Sequence, residues 1–235
     1  MKKTVNKEKI AVYSATRNYY PMLVPAVNSL VINSSVDKIY ILAEDDELPC
    51  RFRDSSKIEV INVSDQTFFP KDGPNYKSFF TYMAMMRAAL CHIFPMHDRI
   101  LSLDVDTIVD KNIDAIWDLP IDDCYFAAAK ETHKSHDQFI YTNGGVCLFN
   151  LKKLRDGKAD AIIEHLNKHK TQFLEQDCFN YMCQGDIYLM PSCYNVCEWT
   201  EPTGDWRIIH YASIRDWMGK DLVKKYMFEV KSDGE

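Results

Sequence analysis

RILSLDVDTIV, residues 99–109, runs from a short apolar segment directly into two aspartates, and the interpretation of the whole chain depends on it. Side chains of a strand alternate between two faces, so Asp104 and Asp106 would share one face while Val105 points toward the core. Two neighbouring carboxylates repel each other, and burying them without a partner is costly. A divalent cation that bridges them to an anionic substrate offsets this cost. The alternative is a strand that ends in a solvated acidic turn.

The composition is that of an ordinary globular chain. Its 235 residues suit one domain, with 46% hydrophobic and 26% charged residues. The net charge of −6 argues against nucleic-acid binding, which requires a basic surface. No apolar run approaches the roughly 20 residues of a membrane span, and the N-terminus has no apolar signal-peptide segment. The 8 cysteines include no C-x-x-C pair and fit reduced thiols, so we expect a cytoplasmic protein, free or at the inner face of the membrane.

Alternating strand and helix patterns predict an α/β fold. Residues 10–16 have the continuous apolar character of a buried strand, and apolar side chains recur at helical spacing in residues 21–33. This order implies a mostly parallel central sheet with flanking helices. Further strands are predicted at 38–43, 57–63, 99–104, 124–129, 145–150, 186–190 and 207–211. Further helices are predicted at 77–94, 159–169 and 176–184.

Two common phosphate-binding motifs are missing from the chain. There is no G-x-G-x-x-G after the first strand and no G-x-x-x-x-G-K-[ST]. Open α/β sheets bind ligands beyond the carboxyl ends of their strands, which is where the two aspartates are expected. A nucleotide bound there needs its phosphates neutralised in another way, and a cation held by Asp104 and Asp106 would do so.

Five segments occur in an order that is typical of one enzyme family. They are SATRNYY (14–20), MMRAALCHIFPMHDRILSLDVDT (85–107), TNGGVCLFNLKKLR (142–155), EQDCFNYM (175–182) and IIHYASIRDW (208–217). On these segments the chain resembles glycosyltransferase family 8, a retaining group, from about residue 10 to residue 217. The resemblance implies a single domain of the GT-A type, Rossmann-like in its nucleotide-binding half. That half would cover about residues 10–110, a donor-sugar and acceptor half about 111–217, and a C-terminal tail 218–235.

The resemblance also implies where a UDP-sugar would bind. Arg87 precedes Asp104 by 17 positions (104 − 87), as the basic residue of the family does. His210 would join Asp104 and Asp106 as a third metal ligand, which favours Mn²⁺, with Mg²⁺ as the alternative. The implied contacts to the nucleotide and the donor sugar are Ser14, Ala15, Thr16, Tyr19, Val105, Asn143, Gly144, Ser213 and Arg215. The implied catalytic group at the anomeric carbon comprises Glu175, Gln176 and Asp177, assisted by Arg87.

Each of these residues also has an interpretation without function. Arg87 fits an exposed helix cation equally well, and Tyr19 fits ordinary aromatic packing. Asn143 and the two glycines after it fit a tight turn before a strand, and His210 fits a core histidine. Residues 175–177 fit a plain acidic cluster at a helix start, where negative charge is favourable.

Two segments depart from the family pattern. In HYASIRDW, Ser213 stands where the family has glycine and the Lys-Pro pair is absent, so Arg215 is the remaining candidate for a cation at the diphosphate. Glu175 stands where the family has aspartate, and this change would alter the donor-sugar preference. Lys220, Lys224 and Lys225 are interspersed with acids, so we expect at most weak peripheral membrane association.

We therefore expect a metal-dependent retaining transfer of glucose or galactose from UDP-glucose or UDP-galactose to a hydroxyl of a glycan or glycoconjugate acceptor. One alternative is a haloacid-dehalogenase-type phosphatase, with Asp104 as nucleophile and Asp106 as acid/base. That class needs a later lysine and a second acidic pair, but IYLM follows Gly185-Asp186. The other alternative is a catalytically degenerate protein that binds a sugar nucleotide.

Overall fold

The strand that leads into the two aspartates lies in the middle of a seven-stranded sheet. The structure is a computed structural model, and it describes residues 8–131, 140–197, 204–212, 214 and 216–227. The strands of these residues are β1 (Ile10–Ser14), β2 (Lys38–Ala43), β3 (Ile58–Asn62), β4 (Arg99–Leu103), β5 (Thr107–Val109), β6 (Phe126–Lys130), β7 (Thr142–Asn150), β8 (Ile187–Leu189) and β9 (Ile208–His210). The sheet order is β3-β2-β1-β4-β7-β6-β8. All neighbouring pairs are parallel except the two that involve β7. The predicted mostly parallel sheet is confirmed.

Helices cover both faces of this sheet. The α-helices of the described residues are α1 (Tyr20–Asn33), α2 (Thr81–Met85), α3 (Leu90–Ile93), α4 (Leu151–Leu154), α5 (Lys158–Lys168), α6 (Leu174–Met182) and α7 (Asp221–Lys224). Short 3-10 turns lie at Arg17–Tyr19, Ser55–Lys57, Met86–Ala89, Asp114–Asp118, Ser192–Tyr194 and Trp217–Gly219. In the part of the chain that the structure describes, no helix has both the length and the apolarity needed to cross a membrane.

The first strand shows why the sheet is buried on both faces. Ile10 and Val12 belong to a core cluster that includes apolar residues of α2, α3, α5 and α6. Ala11 and Tyr13, which alternate with them, belong to a second cluster beneath α1. A strand that is covered on both sides needs apolar residues at every position, which explains the continuous apolar run in the sequence.

The helix predicted over residues 77–94 is shorter and differently built. Residues 71–80 form turns and bends, and the helical stretch begins at Thr81 and passes through α2, a 3-10 turn and α3. Thr81 has a φ of 64°, which is a strained conformation for a β-branched residue. Phe79, an apolar residue inside the predicted helix, is 86% exposed. The prediction was wrong for residues 77–80 because they form turns that precede the helix.

The segment predicted as a tail from residue 218 is packed against the domain up to residue 227. Tyr226 is buried, and its hydroxyl donates a hydrogen bond of 2.8 Å to Asp110 Oδ1. Asn33 Nδ2 donates to the same hydroxyl at 3.0 Å. Lys225 Nζ forms an ion pair of 2.9 Å with Asp110. These contacts tie α7 to α1 and to the loop after β5.

Two short strands outside the main sheet bring the end of the chain to the aspartates. β4 ends at Leu103, a turn covers residues 104–106, and β5 follows directly. β5 pairs antiparallel with β9, which places Thr107 opposite His210. The backbone amide of Tyr211 also donates to the carbonyl of Asp106 at 2.9 Å.

Candidate functional site

Asp104, Asp106 and His210 converge on one point at the β4–β5 turn. Nε2 of His210 lies 3.2 Å from Oδ1 of Asp106 and 3.6 Å from Oδ2 of Asp104. The hydroxyl of Thr107 holds the turn closed through a 2.6 Å hydrogen bond to the Asp104 carbonyl. The two carboxylates face the same group, as predicted, but they do so from a turn rather than from a strand. Val105 is half-buried against the core cluster beneath α1.

The three side chains have the chemistry and spacing of a divalent-cation site. Their ligand atoms all lie within 4.8 Å of one another, and neighbouring ligands of an ion with bonds of about 2.1 Å lie about 3 Å apart. Burial alone would lower the pKa of His210, but the charge of Asp106 and a hydrogen bond to it raise that pKa well above its usual value. Burial would likewise raise the pKa of Asp106, but His210 outweighs it and lowers that pKa. Asp106 is therefore ionised at neutral pH.

A cavity of about 500 Å³ opens beside this cluster, at the carboxyl ends of β1 and β4. Its size is in the range of small-molecule and cofactor sites. The residues predicted to contact the nucleotide that do line it are Ser14, Ala15, Thr16, Tyr19, Arg87, Asp104, Val105 and Asp106. The predicted contacts Ser213 and Arg215 lie outside the described residues.

Arg87 is buried in the wall of this cavity and is only 8% exposed. Its Nη1 donates to Asp104 Oδ1 at 3.0 Å and to the carbonyl of Gly144, and its Nη2 pairs with Glu175 Oε1 at 2.5 Å. Burial alone would lower the pKa of Arg87, but the charges of Asp104 and Glu175 outweigh it and raise that pKa. The interpretation as an exposed helix cation is wrong, because two carboxylates from distant segments neutralise the buried charge.

Glu175 is the buried partner of Arg87 at the start of α6. It is 2% exposed, and its Oε2 has no hydrogen-bond partner among the described residues. Burial raises the pKa of Glu175 to about 7, although Arg87 acts in the opposite direction. Residues 175–177 do lie in the first turn of α6, as expected of an acidic cluster at a helix start, but Glu175 is buried there.

The start of β7 packs tightly against the cluster. Gly144 N–H donates a 2.7 Å hydrogen bond to Oε1 of Gln176, and a Cβ at Gly144 would lie 3.0 Å from that oxygen. A Cβ at Gly145 would lie 2.1 Å from Cε1 of His210. Residues 143–145 belong to β7 itself, so the tight turn proposed for them is wrong. Glycine is needed here for close approach of neighbouring side chains.

Asp177, one of the predicted catalytic residues, holds the chain that leads into α6. Its Oδ1 accepts from the hydroxyl of Tyr141 at 2.5 Å, and its Oδ2 accepts from the amides of Gln172 and Phe173 at 3.0 and 2.8 Å. It does not line the 500 Å³ cavity. Its place beside the anomeric carbon stays a prediction, as does that of Gln176, which is half-buried between Gly144 and Tyr141.

Asn143, a predicted donor-sugar contact, is engaged with other side chains of the protein. Its Oδ1 accepts from Gly145 N–H at 2.8 Å and from Nδ2 of Asn195 at 2.8 Å, and its Nδ2 donates to Glu131 at 2.8 Å. A contact of Asn143 with the donor sugar stays a prediction.

Two pairs of aromatic residues at the cavity add to the residues singled out in the sequence. Phe79 and Phe80 line its rim, and Tyr211 stacks on Trp217 with ring centroids 5.5 Å apart. Adjacent positions on a helix point about 100° apart, so two consecutive phenylalanines place at least one large ring near the edge of the apolar face. That pattern was the available signal for the first pair, whereas nothing local marks Tyr211.

Comparisons with known proteins agree on one family. The model of glycosyl transferase family 8 matches residues 10–214 of this chain. Glycosyltransferase GlyD of Streptococcus pneumoniae is 28% identical over 207 residues, which cover 80% of this chain and 24% of GlyD. A Haemophilus influenzae protein described as a glycosyltransferase is 26% identical over 157 residues, covering 60% of this chain and 46% of that protein. The matched part of the chain thus spans about a quarter of the length of GlyD and about half of the length of the Haemophilus influenzae protein.

Solved structures share the fold. The galactosyltransferase LgtC in complex with donor and acceptor sugar analogs has a TM-score of 0.68 and 18% identity, covering 94% of this chain and 98% of LgtC. The glycosyltransferase GlyE of Streptococcus pneumoniae has a TM-score of 0.69 and 18% identity, covering 95% of this chain and 61% of GlyE. The architecture is therefore that of GT-A glycosyltransferases.

Proposed function

Because the chain belongs to glycosyl transferase family 8, we propose that it transfers glucose or galactose from a UDP-sugar to a hydroxyl of a glycan, with retention of the anomeric configuration. The observation that supports this most directly is the Asp104–Asp106–His210 cluster at the edge of a 500 Å³ cavity. A sugar nucleotide carries a negatively charged diphosphate. Because the chain has no glycine-rich phosphate loop, a cation held by these three side chains would neutralise that charge.

The nucleotide would lie along the carboxyl ends of β1 and β4. Tyr19 offers a ring for the uracil base, and Ser14 and Thr16 offer polar groups for the base and ribose. Asp104, Asp106 and His210 would hold Mn²⁺, with Mg²⁺ as the alternative. When bound, this cation neutralises charge that develops on the UDP leaving group.

Arg87 would contribute a fixed positive charge near the same phosphates. A guanidinium has five N–H donors, and the described partners of Arg87 are Ala84, Asp104, Gly144 and Glu175. One N–H on Nη2 is left for a phosphate oxygen. Because the other four hold the group in place, its charge needs no reorganisation when the leaving group departs.

The side chains near the start of α6 favour attack by the acceptor on the face from which UDP leaves. Gln176 carries an amide, which is a poor nucleophile, while Glu175 is paired with Arg87 and Asp177 holds the preceding turn. In the proposed step the bond from the anomeric carbon to the phosphate oxygen breaks and the acceptor oxygen bonds to that carbon on the same face. The acceptor proton passes to the departing phosphate oxygen. Covalent participation of Glu175 or Asp177 is the alternative, and a trapped glycosyl adduct would support it.

The phosphatase alternative receives less support from the site. Of the described residues that line the cavity, none is a lysine, although that chemistry calls for one. The altered HYASIRDW segment favours the interpretation as a catalytically degenerate binding protein. That interpretation does not explain why the three candidate cation ligands and Arg87 are all present.

The test is release of UDP from a panel of UDP-sugars, with and without Mn²⁺, by the wild type and by Asp104→Ala. We expect release from one donor, its loss on chelation, and a decrease of about 10²–10³-fold in Asp104→Ala. Asp160→Ala, which removes an exposed acid on α5, is the matched control and should behave like the wild type. Normal turnover by Asp104→Ala without metal contradicts the proposal. Hydrolysis of an aryl phosphate without UDP release would support the phosphatase, and binding of UDP without turnover the degenerate protein.

A further inference from the structure

A row of hydrogen-bonded side chains leads away from the ring of His210, on the side opposite the aspartates. Nδ1 of His210 lies 3.1 Å from Oδ1 of Asn195, and Nδ2 of Asn195 lies 2.8 Å from Oδ1 of Asn143. Nδ2 of Asn143 lies 2.8 Å from Oε2 of Glu131. Asn195 and Asn143 are buried, so these are contacts of the protein interior. Neither the sequence motifs nor the proposed catalytic step assigns a role to Asn195.

The direction of every hydrogen bond in this row follows from its far end. Oδ1 of Asn143 accepts from the backbone N–H of Gly145 at 2.8 Å, and a backbone amide can only donate. The NH₂ group of Asn143 therefore faces Glu131 and donates to its carboxylate. Asn195 must then present its own N–H to Asn143 Oδ1, which leaves the Asn195 carbonyl oxygen facing His210.

A carbonyl oxygen only accepts, so Nδ1 of His210 must carry a proton. We propose that Asn195 is a positioning residue for the metal ligand His210, holding its ring with the proton on Nδ1 and Nε2 directed at Asp104 and Asp106. The inference rests on the proposed function, since it assigns His210 as a metal ligand. Groups that orient metal-bound imidazoles in this way raise metal affinity, and their loss typically costs about 10–100-fold.

The backbone keeps Asn195 in place relative to the ring. The strand-like bridge between Val196 and Ile209 joins the segment after Asn195 to β9, and His210 N–H donates to the carbonyl of Val196 at 3.0 Å. The thiol of Cys197 also lies near, 3.4 Å from His210 Nδ1 and 3.5 Å from Asn195 Oδ1. The thiol donates to Asn195 Oδ1 and is only a weak donor or acceptor, so the amide oxygen is the partner that determines the position of the proton on His210.

The experiment measures Mn²⁺ affinity without any donor nucleotide, from the electron paramagnetic resonance signal of free Mn²⁺. We expect Asn195→Ala to bind Mn²⁺ about 10–100-fold more weakly than the wild type. Asn195→Asp loses the donor to Asn143 but keeps an acceptor oxygen opposite Nδ1, so it should bind Mn²⁺ more tightly than Asn195→Ala. Cys197→Ala keeps the whole row and should bind like the wild type. Asn150→Ala removes another buried asparagine, at the far end of β7, and should lower stability without changing the affinity.

A second measurement reads the hydrogen bond directly, and its main result comes from the wild type alone. Nitrogen NMR of histidine-labelled, metal-free wild type should show a slowly exchanging proton on Nδ1 of His210, and Asn195→Ala should accelerate its exchange. A His210 ring with its proton on Nε2 alone overturns the inference. Equal Mn²⁺ affinities of the wild type and Asn195→Ala overturn it too, and leave the proposed function standing. A wild type that binds no Mn²⁺ also overturns the inference, and release of UDP from the UDP-sugars then decides the proposed function separately.

Discussion

The ring of His210 occupies the space that a side chain at Gly145 would need. A Cβ on Gly145 would lie 2.1 Å from Cε1 and 2.4 Å from Nδ1 of that ring. Non-bonded carbon atoms normally approach to about 3.5–4.0 Å. Because the ring is buried and held by Asn195, the glycine in β7 and the histidine in β9 form one packed unit. The start of β7, which is antiparallel to β4, thus limits the positions that the His210 ring can take.

Gly145→Ala should therefore damage the cation cluster, whereas Gly144→Ala should be milder. The first change must push His210 aside, and we expect a loss of about 1–3 kcal/mol in the free energy of unfolding together with weaker Mn²⁺ binding. A Cβ at Gly144 meets Oε1 of Gln176 at 3.0 Å, and that oxygen is the end of a flexible side chain. Urea unfolding and Mn²⁺ titration of both variants test this. Equal Mn²⁺ affinities in the two variants would contradict the packing argument.

Glu175 should make the metal-free protein less stable as the pH rises. The folded state holds its proton up to a pKa of about 7, whereas the usual value is 4.5. Between these values the folded state binds more protons than the unfolded state, so the free energy of unfolding falls with increasing pH. From pH 5 to pH 8 the fall amounts to about 2–3 kcal/mol. Glu175→Gln removes it.

The measurement is the difference in the free energy of unfolding between wild type and Glu175→Gln, followed from pH 5 to pH 8 in metal-free buffer. As the pH rises, the free energy of unfolding of the wild type should fall relative to that of Glu175→Gln. Glu164→Gln, on the exposed face of α5, controls for loss of a carboxylate as such. If the wild type instead gains stability over Glu175→Gln as the pH rises, the prediction is wrong. Glu175 would then be ionised over the whole range, as expected if the ion pair with Arg87 outweighed burial.

Asp177 should matter for stability even if it never touches a sugar. Asp177→Ala removes the acceptor for two backbone amides and for the buried hydroxyl of Tyr141, and we expect a cost of about 2–3 kcal/mol. Asp160→Ala, in the first turn of α5, removes an exposed acid and should cost at most about 1 kcal/mol. Urea unfolding compares the two. Loss of UDP release by Asp177→Ala at unchanged stability would instead support a direct catalytic contact.

The strand that leads into the aspartates was predictable because its signal is local. An apolar run that ends in carboxylates indicates a buried strand with a polar end, and β4 with its turn has that form. The role of His210 was not predictable from spacing. It lies 104 residues beyond Asp106 (210 − 106), and only the resemblance to a family suggested the connection. Long-range strand pairing leaves no trace in local periodicity.

Arg87 and Phe79 both show what helical periodicity does not report. Helical periodicity reports which faces are apolar, but it does not report which neighbours arrive from elsewhere. Arg87 is buried because Asp104 and Glu175 neutralise it, and Phe79 is exposed because the chain turns before Thr81. Helical periodicity predicts that a cation is exposed and that a phenylalanine is buried. It therefore fails where distant segments meet at a site.

The pairing of β5 with β9 has a consequence for how the protein is made. A ribosome adds about 5–20 residues per second, so the 104 residues from Thr107 to His210 take roughly 5–20 seconds to synthesise. During that interval the emerging chain carries both aspartates and Arg87 but no histidine to complete the cluster. The Asp104–Asp106–His210 cluster is therefore completed late, when β9 pairs with β5, and a nascent chain halted before β9 lacks its histidine.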